Sequence, residues 1–240
     1  MPANHVTQPR WTSWLDLLLP SHCILCGSFC GLGRLCQQCT EELPRPGQSC
    51  RMCALAGMES DLSVCGACLA QRPAWDEAVA ALVYEYPADQ LVQRFKFQRS
   101  LACGQLLADE LILAVSRSTV TRPDLLLPVP LHFSRRFWRG FNQAEFLARQ
   151  LGQALEIPVR VNRLRRRRKT TAQSGLDRSA RRKNLGGAFS CNALTGKAVA
   201  LVDDVMTTGA TLSECTRVVR SAGAAHVSVW VAARVPARGL

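Results

Sequence analysis

Four Cys-x-x-Cys pairs constrain this chain more than any other feature: Cys23/Cys26, Cys36/Cys39, Cys50/Cys53 and Cys65/Cys68, with nine, ten and eleven residues between successive pairs. Two thiolates in so tight a turn occupy adjacent corners of a tetrahedron, and a second turn supplies the other two. A redox pair of thioredoxin type would be a single such turn after a strand. Disulfides are the weaker reading for a chain that lacks a secretory start. Residues 23–68 therefore read as a double zinc ribbon with two structural sites of four thiolates each. Such sites are saturated and leave no open position for a substrate. Sequential pairing of the turns is the first expectation, and spacing alone leaves an interleaved arrangement open. Cys30 breaks the paired pattern. Cys103, Cys191 and Cys215 stand alone in apolar or helical contexts and read as packing residues.

The remainder is long and apolar enough for a well-buried core: 240 residues, 48% apolar. No stretch reaches the roughly 18 unbroken apolar residues of a membrane span. Met1–His5 lacks a basic start followed by an apolar run, so a cytoplasmic location is the expectation. The formal net charge is +12, but eleven Lys/Arg against one acid, Asp177, lie between Arg160 and Lys183. That segment carries +10 and the rest only +2. A concentrated basic run points to phosphates of a nucleotide, of pyrophosphate or of nucleic acid. Its ordinary alternative is a solvated loop held open by self-repulsion. Arg165, Arg166, Arg167, Arg168, Lys169 and Arg181 are the nucleic-acid candidates.

Pro73-Ala74-Trp75 marks a boundary. The expected organisation is an N-terminal segment 1–22, the ribbon 23–72, and an α/β domain 73–240. In the last, strand-like runs (Ala78–Tyr86, Asp124–Pro130, Ala198–Val202, Val227–Ala232) alternate with helical periodicity (Asp89–Val115, Asn142–Leu155, Leu212–Ala222), with Asn142 as an N-cap. That alternation predicts an open parallel sheet flanked by helices.

The chemistry concentrates in Ala198–Leu212, AVALVDDVMTTGATL. An apolar strand ends in Asp203 and Asp204. Thr207-Thr208-Gly209-Ala210-Thr211 follow, and then a helix starts. Ligands of open α/β sheets bind beyond the carboxyl ends of strands. A Gly-containing turn at a helix N-terminus offers backbone N–H groups and the positive end of the dipole, and the threonines add donors. The result is a phosphate cradle beside two carboxylates suited to the vicinal hydroxyls of a ribose, with Mg2+ as their partner. The chain has no GxxxxGK[ST] loop and no GxGxxG after a strand.

These residues resemble the PRPP-binding signature of type I phosphoribosyltransferases. The resemblance implies ribose contacts at Asp203 and Asp204, and a 5′-phosphate loop at Thr207, Thr208, Gly209, Ala210 and Thr211. Pro128-Val129-Pro130-Leu131, then Arg135 and Arg139-Gly140-Phe141-Asn142-Gln143, resemble a motif of the ComF/GntX family. So does the pattern Gln173, Leu176, Arg181, Asn184, Ala188-Phe189. Members also carry an N-terminal cysteine-rich ribbon, and the likeness runs from Cys23 to about Val235. It implies a type I phosphoribosyltransferase-like fold behind a double zinc ribbon, PRPP with Mg2+ as ligand, and a part in DNA uptake during natural competence or in DNA utilisation. It places Leu131 in the pyrophosphate loop, makes His132, Arg135 and Arg139 catalytic candidates, and makes Arg160–Lys183 a mobile loop.

Three functions follow from these features. One is a PRPP-dependent transferase with an unidentified acceptor. Another is a non-catalytic module binding single-stranded DNA and DNA-uptake or recombination proteins. The third is a regulator that senses PRPP. Few aromatics accompany the basic run, with Phe137, Trp138 and Phe141 as the nearby stacking candidates. Lys96, in Arg94-Phe95-Lys96-Phe97, reads as amphipathic packing before phosphate contact.

Overall fold

The computed structural model describes residues 21–31, 33–58, 63–131, 140–166 and 187–237. The chain divides into two compact units, Met1–Glu42 and Leu43–Leu240. In the first, β1 (Ser21–His22) and β2 (Phe29–Gly31) form an antiparallel ribbon, followed by α1 (Gln37–Glu41). Cys23 and Cys26 occupy the turn between the strands. The turn closes because Gly27, at φ +77°, donates its N–H back to the Cys23 carbonyl at 2.8 Å. Cys36 is the N-cap of α1 and Cys39 lies buried within it. The Cys30 thiol donates to the Gly33 carbonyl at 3.0 Å, which accounts for the cysteine outside the paired pattern.

The second unit opens with the other two cysteine pairs, Cys65 being the N-cap of α2 (Gly66–Ala70). The α/β body follows: β3 (Glu77–Val83), α3 (Ala88–Phe97), α4 (Leu101–Arg117), β4 (Leu125–Pro128), α5 (Gln143–Ala154), β5 (Leu164–Arg166), β6 (Phe189–Cys191), β7 (Ala198–Met206), α6 (Ala210–Ser221) and β8 (His226–Arg234). Four strands form a parallel sheet in the order β3-β8-β7-β4. Val159 extends it by a parallel bridge to Leu126. The central strands β7 and β8 are near-continuous apolar runs because both faces are covered. Helices α4 and α5 pack on one face, and α6 with β6 on the other. Val199, Leu201, Val227, Val229 and Val231 join Leu212, Cys215 and Val219 of α6 in one buried cluster. The edge strand β3 is not bare. Its Ala78 N–H donates to the Arg51 carbonyl at 2.8 Å, and its Val83 N–H to the Pro44 carbonyl at 2.7 Å.

The predicted alternation holds, with two differences. Asp89–Val115 is two helices rather than one. Arg99 adopts φ +54°, and Ser100 caps a new start by accepting the Cys103 N–H at 3.4 Å. Gly104 lets α4 lie against α3, since a Cβ there would come 2.4 Å from the Phe95 ring. Strand β7 runs past the expected Val202 to Met206, because β8 supplies partners as far as Met206↔Arg234. The second unit also takes in residues 43–72, and the Trp75 indole N–H donates to the Met52 carbonyl. The N-cap at Asn142 is as expected. Its Oδ1 accepts the Ala144 N–H at 3.1 Å, while its Nδ2 donates to the Val129 carbonyl at 3.2 Å and ties α5 to the end of β4.

Candidate functional site

The site forms where β4 ends beside β7, with Pro128 in register with Val202, and β7 runs on alone on that side to Met206. Asp203 and Asp204 still lie in the hydrogen-bonded strand, and successive strand side chains point to opposite faces. Asp204 points toward α3, where Lys96 Nζ stands 3.0 Å from its Oδ1, both side chains largely buried. Asp203 faces the α6 side. Its charge helps hold the buried Cys215 thiol well above its ordinary range, burial being the larger cause, so Cys215 is no nucleophile. Asp203 Oδ1 also accepts the Asp204 N–H at 2.9 Å. The pair thus straddles the sheet near the carboxyl end of β7, one carboxylate per face. Lys96 is a correction to the packing expected of it: it is the counter-ion of the second carboxylate.

Beyond Met206 the chain turns through exposed Thr207 and Thr208 to Gly209, which is left-handed at φ +74° and is the N-cap of α6. Ala210 N–H reaches Thr208 Oγ1 at 3.4 Å, and Thr211 opens the helix half-buried. The first N–H groups of α6 have no carbonyl partner within the helix, and the twelve-residue helix aims its dipole at the turn. Gly209 is required twice, by its φ and by the Trp75 ring, whose Cη2 would lie 2.7 Å from a Cβ.

Arg234, the last residue of β8, backs this turn. Its Nη1 donates to the carbonyls of Met206 (3.1 Å), Val235 (2.9 Å) and Thr207, and its Nε donates to the Cys53 carbonyl at 3.1 Å. Burial lowers the guanidinium pKa, while Cys53, Cys68 and Cys65 oppose that shift. Neither Arg234 nor Trp75 was legible as a site residue. Both act through backbone carbonyls far away in sequence, which no motif encodes.

Leu131 is half-buried just past β4, behind Val129, whose N–H donates to the Val202 carbonyl at 2.9 Å. His132, Arg135, Arg136 and Arg139 lie outside the described residues, as do Arg167, Arg168, Lys169 and Arg181. So do Phe137 and Trp138. Phe141 packs its ring 5.3 Å from that of Phe95, so it serves the core rather than a free base. Arg165 and Arg166 lie on β5, paired antiparallel to β6 at the root of the basic segment, with Arg166 5.3 Å over the Phe189 ring.

The cysteines assemble sequentially: Cys23, Cys26, Cys36 and Cys39 form one set, Cys50, Cys53, Cys65 and Cys68 the other, each with its sulfurs within 4.8 Å of one another. A tetrahedral zinc with bonds of about 2.3 Å sets neighbouring sulfurs about 3.8 Å apart. Cys26 and Cys36 Sγ stand 3.7 Å apart, and so do Cys53 and Cys65 Sγ. Both sets therefore fit structural zinc. The backbone favours thiolate at the first cysteine of each. Burial pushes Cys23 up, but the N–H groups of Cys26, Cys36 and Leu25 outweigh it and bring the pKa to about 6. At Cys50, burial is outweighed by the N–H groups of Cys65, Cys53 and Met52, giving about 7. Burial pushes Cys53 up to about 11 and pushes Cys39 and Cys68 higher still. A cation shared by four such groups resolves that conflict by holding all as thiolates.

Comparison with known proteins finds a match for each of the two kinds of site. Residues 14–69 match a double zinc ribbon domain, and residues 138–240 match a phosphoribosyl transferase domain. The chain is 39% identical to competence protein F of Haemophilus influenzae, over 83% of this chain and 90% of that one. It is 33% identical to the DNA utilization protein YhgH of Escherichia coli strain K12, over 91% and 99%. A solved glutamine phosphoribosylpyrophosphate amidotransferase from B. subtilis is similar at 18% identity and TM-score 0.41, over 59% of this chain and 30% of that one.

Proposed function

We propose a function from one premise: this chain belongs to the ComF/GntX family, together with competence protein F and the DNA utilization protein YhgH. The reading is that it binds PRPP with Mg2+ at the end of β7 and serves DNA uptake or utilisation. One observation carries it: a carboxylate on each face of the sheet at the carboxyl end of β7, followed five residues after Asp204 by a left-handed glycine that opens a helix behind exposed threonines. Asp203 and Asp204 would meet the ribose hydroxyls. The Thr207–Thr211 turn would hold the 5′-phosphate on backbone N–H groups and hydroxyls. Leu131, at the neighbouring strand end, would face the pyrophosphate. Mg2+ would neutralise pyrophosphate charge, and Asp203 and Asp204 would be the carboxylates available beside it.

As an enzyme, the chain would be a phosphoribosyltransferase. Its described residues would contribute positioning and charge, through carboxylates, hydroxyls, Lys96 and backbone dipoles. Lys96 would be released from Asp204 as a ribose hydroxyl engages that carboxylate, and so freed to face the anion. Zinc at both cysteine sets would be structural. A second reading, a single-stranded nucleic acid on the basic segment, is favoured by Arg165 at the exposed root of that segment.

Calorimetric titration of PRPP with Mg2+ tests the reading. The wild-type chain is expected to bind with a Kd on the order of micromolar, and Asp203→Asn/Asp204→Asn to lose about 100-fold or more, since each charge-assisted hydrogen bond contributes about 1.5–3 kcal/mol. A folded, zinc-loaded protein that shows no heat with PRPP would make the fold a scaffold and shift the ligand to nucleic acid.

A further inference from the structure

Three successive carbonyls of the third cysteine turn, Cys50–Cys53, each accept a hydrogen bond from the α/β body. Arg51 O accepts from the Ala78 N–H at 2.8 Å, Met52 O from Trp75 Nε1 at 2.6 Å, and Cys53 O from Arg234 Nε at 3.1 Å. The last two donors have a second task. The far edge of the Trp75 indole sits over Gly209, where a Cβ would come 2.7 Å from the ring. The other branch of the Arg234 guanidinium holds the carbonyls of Met206 and Thr207. These are the residues at which β7 gives way to the turn. Val235 N–H still pairs with Met206 O at 3.0 Å, but β8 ends at Arg234, so the guanidinium takes over from the strand at Thr207. Trp75 is only 5% exposed, so its ring has little room to swing away.

We propose that the Cys50/Cys53/Cys65/Cys68 site is a positioning device for the phosphate turn. Metal held by these thiolates fixes the carbonyls of Met52 and Cys53. Those carbonyls fix Trp75 and Arg234, and these two side chains set the entry of Thr207–Thr211 into α6. Trp75 and Arg234 are thereby positioning residues for the ligand. The Arg234 fork is what the geometry requires, because one planar cation reaches carbonyls in two segments 153 residues apart. The consequence for ligand affinity rests on the reading of this turn as a 5′-phosphate site, whereas the mechanical link does not.

The test measures hydrogen–deuterium exchange over residues 205–212 in the full-length, zinc-loaded chain, with zinc content and PRPP affinity measured on the same samples. The variants are Arg234→Gln, Trp75→Phe (which keeps an aromatic ring but loses the donor to Met52 and the far edge of the indole over Gly209) and Cys36→Ser/Cys39→Ser in the other site. Exchange of the turn is expected to rise about 10-fold in Arg234→Gln and Trp75→Phe while β4 and β8 keep their protection and the second site keeps its zinc. PRPP affinity should fall by a similar factor of about 10, and the first-site variant should leave the turn unchanged. If Arg234→Gln does not fold, Trp75→Phe decides alone. Wild-type exchange in the turn of the brace variants overturns the proposal, as does an equal rise throughout the sheet or an equal rise in the first-site variant. A wild-type chain that ignores PRPP, with brace variants that still loosen the turn, would refute the phosphate reading and leave the positioning role standing.

Discussion

Gly209→Ala is expected to cost the α/β body about 2–5 kcal/mol and to abolish PRPP binding. Two independent penalties add. An L-residue at φ +74° costs about 1–2 kcal/mol over glycine. Overpacking contributes a further ~1–3 kcal/mol, because the methyl would meet Trp75 Cη2 at 2.7 Å. An exposed ring could swing aside and reduce the second penalty, but this indole is buried and held by Met52. The usual compensation is also missing. Alanine is favoured over glycine in a helix interior by about 1 kcal/mol, but Gly209 is the N-cap, outside the helical region. Urea denaturation and PRPP titration on the same preparation check both halves. A variant with wild-type stability and affinity would mean that the turn is not held as described.

Loss of the second cysteine set should be the most damaging change in the chain. Cys50→Ser/Cys53→Ser is expected to lower the melting transition of the 43–240 unit by about 10 °C or more, at about 2–4 °C per kcal/mol for a unit of this size. Cys23→Ser/Cys26→Ser should leave that transition in place. A structural zinc site holds about 10–16 kcal/mol of apparent binding energy, comparable to the whole stability of a domain at about 5–15 kcal/mol. Without metal, the second set becomes a cluster of four thiols, of which Cys50 is fully buried and Cys65 and Cys68 nearly so, with conflicting proton demands. Ala54, immediately after Cys53, is anchored too: it adopts φ +53° where Gly27 stands in the first turn, and its methyl is buried in the same cluster as Trp75 and Met206. Scanning calorimetry of both variants, with zinc content measured, checks the contrast. Equal loss of the transition in the two variants, or in neither, would contradict it.

What the sequence made readable was local. The β7–turn–α6 unit announces itself because an apolar run, paired acids, a glycine and an amphipathic helix are contiguous. The cysteine sets do so because metal geometry fixes their spacing. The helix break at Arg99–Ser100 was hidden inside unbroken apolar periodicity, and only the left-handed residue and its cap reveal it. The length of β7 was hidden because β8, not β7 itself, determines how far pairing runs. The role of Lys96 was hidden because its partner lies 108 residues away on another element. Pro73-Ala74-Trp75 has the composition of a linker, yet Trp75 joins the third cysteine turn to the sheet.

The covering of β3 by residues of the cysteine-rich segment also bears on how this protein behaves outside its fold. An uncovered edge presents a row of unpaired N–H and C=O groups, and in β3 that row belongs to Glu77-Ala78-Val79-Ala80-Ala81-Leu82-Val83, with one charge in seven residues. Here the Arg51 and Pro44 carbonyls occupy part of it. Zinc starvation during synthesis would free the strand to pair with its counterpart in another copy before the sheet is complete. The expected failure is therefore insoluble inclusions rather than a soluble, unfolded chain, and zinc supply during expression becomes a determinant of solubility as much as of stability.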